Sequence, residues 1–120
     1  MPYTAPPLTY NRRVEFVETH IFTRRVVEML TEREFIELQA ELVGDPEGGD
    51  LIQGTGGLRK LRWRESHRSK GKRGGVRVIY YWYSAGDLIY LLLIYSKSEQ
   101  GDLSPKEKQL LHKLVAKEFK

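Results

Sequence analysis

The chain has 120 residues, 40% of them hydrophobic and 30% charged, enough for one soluble globular domain with a real core but not for two. It contains no cysteine, which excludes disulfides and thiolate metal sites and is consistent with a cytoplasmic location. Its net charge of +4 hides a strong asymmetry, because Leu58 to Arg77 holds nine of the twenty bases and a single acid, Glu65, while the remainder sets eleven bases against fifteen acids. Such a lopsided field suits a phosphate-rich partner, since each base placed on a phosphate releases condensed counterions.

In chain order, residues 1–13 read as an extended, flexible arm, with Pro2, Pro6 and Pro7 near its start. Val14 to Glu18 is short and rich in β-formers, so a strand is expected. Ile21, Phe22, Val26, Val27 and Leu30 then space as one apolar helical stripe. Thr31-x-x-Glu34 is a capping-box signature opening a second helix, whose inner face is Phe35, Leu38, Gln39 and Leu42 and which closes at Gly44. A polar connection rich in glycine, Glu47 to Gly57, leads into three strands: Leu58–Arg64, Val76–Tyr83 and Asp87–Ser96. The last two carry apolar residues on both parities, as in the middle of a sheet covered on both sides. Ser104-Pro105-Lys106-Glu107 opens a final helix with Leu110, Leu111, Leu114 and Val115 on one face. The expected fold is α+β in the order β-α-α-β-β-β-α, with a mostly antiparallel four-stranded sheet and residues 14–120 forming one domain. The longest apolar run, Leu88 to Tyr95, is of strand length, well short of the roughly 18 residues a membrane span takes.

Alternation along Leu58–Arg64 sets Lys60, Arg62 and Arg64 on one face, against Arg59, Leu61 and Trp63 on the other. Leu61 and Trp63 belong against the helices. The three bases then line an open face, about 7 Å apart along the strand, with almost no acids to pair them, and Arg77 on the next strand is placed to converge on the same cleft. The loop from Glu65 to Gly75 lacks Walker spacing and joins two strands. Gly54-Thr55-Gly56-Gly57 precedes a strand, so it is no dinucleotide fingerprint. His20, His67 and His112 are far apart and no metal site is formed from them; His20 is expected at a helix start, His112 on a helix surface, and His67 in the cationic loop. A cleft of this kind can run proton-transfer chemistry on an amine crowded by other cations, with guanidiniums stabilising charge on phosphorus. RNA supplies its own nucleophile, the 2′-OH, so a ribonuclease with neither metal nor cofactor is chemically possible.

Ile52 to Arg62, Lys70 to Tyr81 and Leu92 to Glu99 together carry a resemblance that covers the chain from about Val14 onward. The sequence resembles the RelE/HigB superfamily of bacterial toxins from type II toxin–antitoxin modules, and is most similar to the HigB-type branch whose antitoxin is a helix-turn-helix protein. The resemblance implies a RelE-like fold and a ribosome-dependent endoribonuclease, or mRNA interferase, that enters the A site, cuts the message by 2′-OH attack and so inhibits translation. It implies mRNA, ribosomal RNA and a cognate antitoxin as partners, no cofactor and no membrane. Carried over by position, the catalytic set is Lys60, Arg62, Arg77 and Lys97. Arg64, Arg68, Lys70, Lys72, Arg73 and Tyr81 would bind message or ribosome. Ser98 departs from relatives with arginine there, which leaves open the identity of the general acid. The alternative readings are a non-catalytic RNA- or ribosome-binding protein, and a degenerate toxin acting only as an antitoxin-bound regulator.

Overall fold

The computed structural model describes residues 13–63 and 75–119. In chain order the elements are β1 (Glu15–Glu18), α1 (His20–Met29), α2 (Glu32–Gly44), β2 (Asp50–Leu51), β3 (Leu58–Trp63), β4 (Val76–Tyr83), a 3₁₀ turn (Ser84–Gly86), β5 (Leu88–Ser96) and α3 (Pro105–Phe119). The strands form one sheet in the order β1-β5-β4-β3-β2, with β1 parallel to β5 and the other pairings antiparallel. This is the expected α+β architecture with one correction: the sheet has five strands, because Asp50 and Leu51 in the polar connection pair with Lys60 and Arg59.

Helix starts are fixed by their caps. Thr31 Oγ1 accepts the Glu34 N–H at 3.1 Å while the Glu34 carboxylate accepts the Thr31 N–H at 2.7 Å, completing the anticipated box. Ser104 and Glu107 make the same reciprocal pair ahead of α3. Both sheet faces are covered. On one side α1 and α2 bury Phe22, Val26, Leu30, Leu38 and Leu42 against Val76, Val78, Tyr80, Ile89, Leu91 and Ile94, with Leu61 and Trp63 packed alongside. On the other, Leu103 and Val115, at and before α3, cover Leu58, Ile79, Tyr90, Leu92 and Tyr95. Three residues assigned to apolar stripes stand in solvent instead: Val27 is 68% exposed, Ile21 41% and Leu110 57%. Each lies at the edge of its stripe, beyond the reach of the sheet.

One irregularity positions the site. The register runs Tyr80↔Leu91 and then Ile79↔Leu93, so Leu92 is an extra residue bulged out of the β4–β5 ladder. Cover on both faces accounts for the apolar residues on both parities, and the bulge sets which parity meets which layer: Ile89, Leu91 and Ile94 face α1 and α2, whereas Tyr90, Leu92 and Tyr95 face α3. At the bulge Thr19 Oγ1 donates to the Leu92 carbonyl at 2.8 Å while accepting the Phe22 N–H as the N-cap of α1. Thr19→Val, which keeps the shape and loses both bonds, is therefore expected to cost about 1–3 kcal/mol. A urea midpoint that does not move would show the hydroxyl to be idle.

Candidate nucleic-acid interface

Strand alternation puts Lys60 and Arg62 of β3 on the face opposite Leu61 and Trp63, as expected from sequence, and that face is the one α3 covers. Cross-strand pairing sets Arg62 opposite Arg77 and Lys60 opposite Ile79, so all three bases share that face. Directly opposed side chains on neighbouring strands stand about 5 Å apart at Cβ, where like charges repel and a bridging polyanion relieves the repulsion. The next neighbour of Arg77, on β5, is Tyr95. The face is less open than anticipated: Arg77 is buried, at 5% exposure, and Lys60 is only partly accessible, while Arg62 is exposed.

A second correction concerns acids. The sequence offered almost none to pair these bases, yet Lys60 Nζ lies 2.9 Å from Asp102 Oδ1. Asp102 comes from the segment joining β5 to α3, far away in the chain. Its carboxyl is held below the usual carboxylate range, chiefly by the hydrogen bond and charge of Lys60, with smaller contributions from Lys108 and Arg77. A depressed carboxylate pKa means the pair is closed above the ordinary carboxylate range and opens only as pH falls through the lowered value. Ile52, Lys60, Asp102, Leu103 and Lys108 line a cleft of about 190 Å³ at this point.

Lys97 stands just past β5, exposed, with its backbone N–H donated to the Gly75 carbonyl at 3.1 Å, so it flanks the end of β4 that carries Arg77. The turn that bears it is anchored from the far layer, since Arg25 of α1 holds both Glu99 carboxylate oxygens at 2.7 Å and Glu99 accepts the Ser96 N–H. Ser98 pairs its hydroxyl with that of Ser96. Tyr81 shares the α3 face but sits four residues along β4 from Arg77, half-buried, with its ring over Gly57. Gly57 adopts φ +117°, and a Cβ there would stand 3.1 Å from the Tyr81 ring, so the position requires glycine twice over. Arg64, Arg68, Lys70, Lys72 and Arg73, together with His67, lie outside the described residues.

The glycine-rich connection is structural. Arg59, one of the nine clustered bases, donates to the Glu47 and Gly49 carbonyls at 2.9 and 2.8 Å and is occupied on the helical side of the sheet. His112 is not a surface residue but is half-buried, with Nδ1 2.8 Å from the Thr55 carbonyl, tying α3 to the turn before β3. Among the described residues no group of three or more His, Asp or Glu side chains could hold a metal ion. None of their helices is long and apolar enough to cross a membrane.

Asp102 and the Arg25–Glu99 anchor were missed from sequence. Neither leaves a local signal, because each partner is more than forty residues distant.

A mixed five-stranded sheet with two helices on one face and one on the other, bearing opposed arginines beside a lysine, defines a small α+β protein with a cationic cleft. Its backbone is similar to that of the E. coli toxin RelE, solved as a double mutant in the free state, with TM-score 0.52 and 12% identity over 89% of this chain and 98% of that one. The fold is therefore RelE-like. No protein-family profile matches the sequence.

Proposed function

We propose that the chain is the toxin of a type II toxin–antitoxin pair of the HigB-type branch, a metal-independent, ribosome-dependent mRNA endoribonuclease acting in the cytoplasm. The observation that carries this reading is the convergence of Lys60, Arg62 and Arg77 on one face of two adjacent strands. The likeness to the RelE toxin supports it, as does the sequence resemblance. In this reading the 2′-OH attacks the neighbouring phosphorus, its proton passing to a base at Lys60. The 5′-oxygen leaves with a proton from a group near Lys97, and a cyclic phosphate remains. Arg62 and Arg77 hold the charge that builds on the equatorial oxygens, a task suited to guanidiniums that never give up their protons. The antitoxin, a helix-turn-helix protein, would restrain the toxin domain of residues 14–120, and Arg64, Arg68, Lys70, Lys72 and Arg73 would hold message or ribosomal RNA.

A second reading, an RNA-binding protein without strand scission, is favoured by the Lys60–Asp102 pair, which offsets the charge of the intended base. One experiment separates the two. The intact chain and a variant with Lys60, Arg62 and Arg77 all changed to alanine are induced in cells, and message ends are mapped. Growth arrest with new ends inside codons, absent from the variant, is the expected result. Harmless expression of the intact chain with RNA binding retained would favour the second reading.

A further inference from the structure

Charges from three elements bear on one carboxylate. Asp102 receives the Lys60 ammonium of β3, and the Lys108 charge of α3 and the Arg77 charge of β4 also act on it. Despite this attention its side chain is 75% exposed, whereas that of Lys60 is 21% exposed. An ion pair so open to water contributes little and is readily exchanged for a stronger anion. Across the sheet from Arg77 stands Tyr95, whose hydroxyl is fully buried and without a hydrogen-bond partner among the described residues. Burial raises its pKa, and the charges of both Asp102 and Arg77 are felt there. Leaving a buried hydroxyl unbonded is costly, so one that persists calls for a partner supplied at another stage of the protein's work.

We propose that Asp102 stands where a substrate phosphate binds: Lys60, Arg77 and Lys108 form a phosphodiester subsite, the Tyr95 hydroxyl is its neutral donor, and RNA enters by displacing the carboxylate. The proposal rests on RNA being the ligand of the cationic face and adds the identity of the subsite and of its resident occupant. Displacement asks little of the fold. Leu103, the next residue, is buried against the sheet and keeps α3 seated while the Asp102 side chain swings into solvent. A phosphate then gains charge-assisted bonds from Lys60 and Arg77 and gives Tyr95 its acceptor.

The test uses the full chain and two probes: a fluorescent oligonucleotide whose 2′-hydroxyls are replaced by hydrogen, so that it cannot be cleaved, and inorganic phosphate. Asp102→Asn keeps the shape and removes the competing charge, and is expected to tighten binding of both probes by about three- to tenfold, the gain shrinking as salt rises. Tyr95→Phe should weaken both by about three- to tenfold. It should melt no lower than the parent, since the hydroxyl it removes has no bond to lose in the free protein. Equal or weaker binding by Asp102→Asn overturns the subsite, as does undiminished binding by Tyr95→Phe. Phosphate bound more tightly by Asp102→Asn, with the oligonucleotide refused by every form, would uphold the subsite and sink the RNA reading.

Discussion

Arg77→Ala is expected to cut cleavage of a ribosome-bound message by about 100- to 1,000-fold, the range found when one preorganised donor is removed from a developing oxyanion. Three features set the size of the effect. The guanidinium is nearly excluded from water, where its field is least screened. Its neighbours across the sheet are Tyr95 and the solvent-exposed Arg62, so among the described residues of the sheet no second buried cation adjoins it. Its donors are also held in a rigid plane, so little freedom is lost as they close on phosphate oxygens. Arg77→Lys should recover only part of the loss, because an ammonium restores the charge without the planar fork that grips two oxygens at once. Single-turnover rates per folded molecule, with folding checked by circular dichroism, separate a chemical defect from an unstable variant. A folded Arg77→Ala protein that cuts at the parental rate would remove Arg77 from the site.

The largest loss of stability is expected at Tyr80, on the other face of the same strand. Its ring is fully buried, and its hydroxyl accepts the Gly49 N–H at 3.0 Å while donating to the Pro46 carbonyl at 2.8 Å. Backbone and ring meet closely here, since a Cβ on Gly49 would come within 3.0 Å of the Tyr80 ring and of the Lys60 carbonyl. Tyr80→Ala should cost about 3–5 kcal/mol through lost packing and the cavity left behind. Tyr80→Phe keeps the ring, strands a buried N–H and should cost about 1–3 kcal/mol. Burial raises the hydroxyl pKa above its ordinary value of 10.0. Its contribution is thus complete below about pH 10 and fades as pH climbs through the raised value. Urea unfolding measures both variants; equal midpoints for Tyr80→Phe and the parent would show that the two hydrogen bonds hold nothing.

What could be read from sequence was local in origin. Both capping boxes are signatures four residues long, and each forms as spelled. The opposition of Leu61 and Trp63 to Lys60 and Arg62 follows from the two-residue period of a strand, and it holds. Valine and isoleucine on both parities of Val76–Tyr83 implied a sheet buried on both faces, which it is. Contacts that join distant segments left no such trace. Two paired residues, Asp50 and Leu51, are too few to show a period, so β2 looked like loop. Asp102 sits in a polar turn resembling any other, and only the path of the chain brings it to Lys60. His112 occupies a helix position where sequence spacing alone cannot say whether a carbonyl waits opposite.

The extra residue at Leu92 has a consequence for what the cleft contains. Side chains along a strand alternate every second position, so one added residue is a half-period phase shift. Were β5 regular throughout, the register of its first half would carry on unchanged. Ile94 would then fall opposite Arg77, and Tyr95 would turn toward the helices. The wall beside Arg77 would then be hydrocarbon where it now holds a hydroxyl. The polarity of this wall thus depends on how the chain is counted along one strand as much as on which amino acids it contains, and the Thr19 hydroxyl that grips the Leu92 carbonyl keeps that count from slipping.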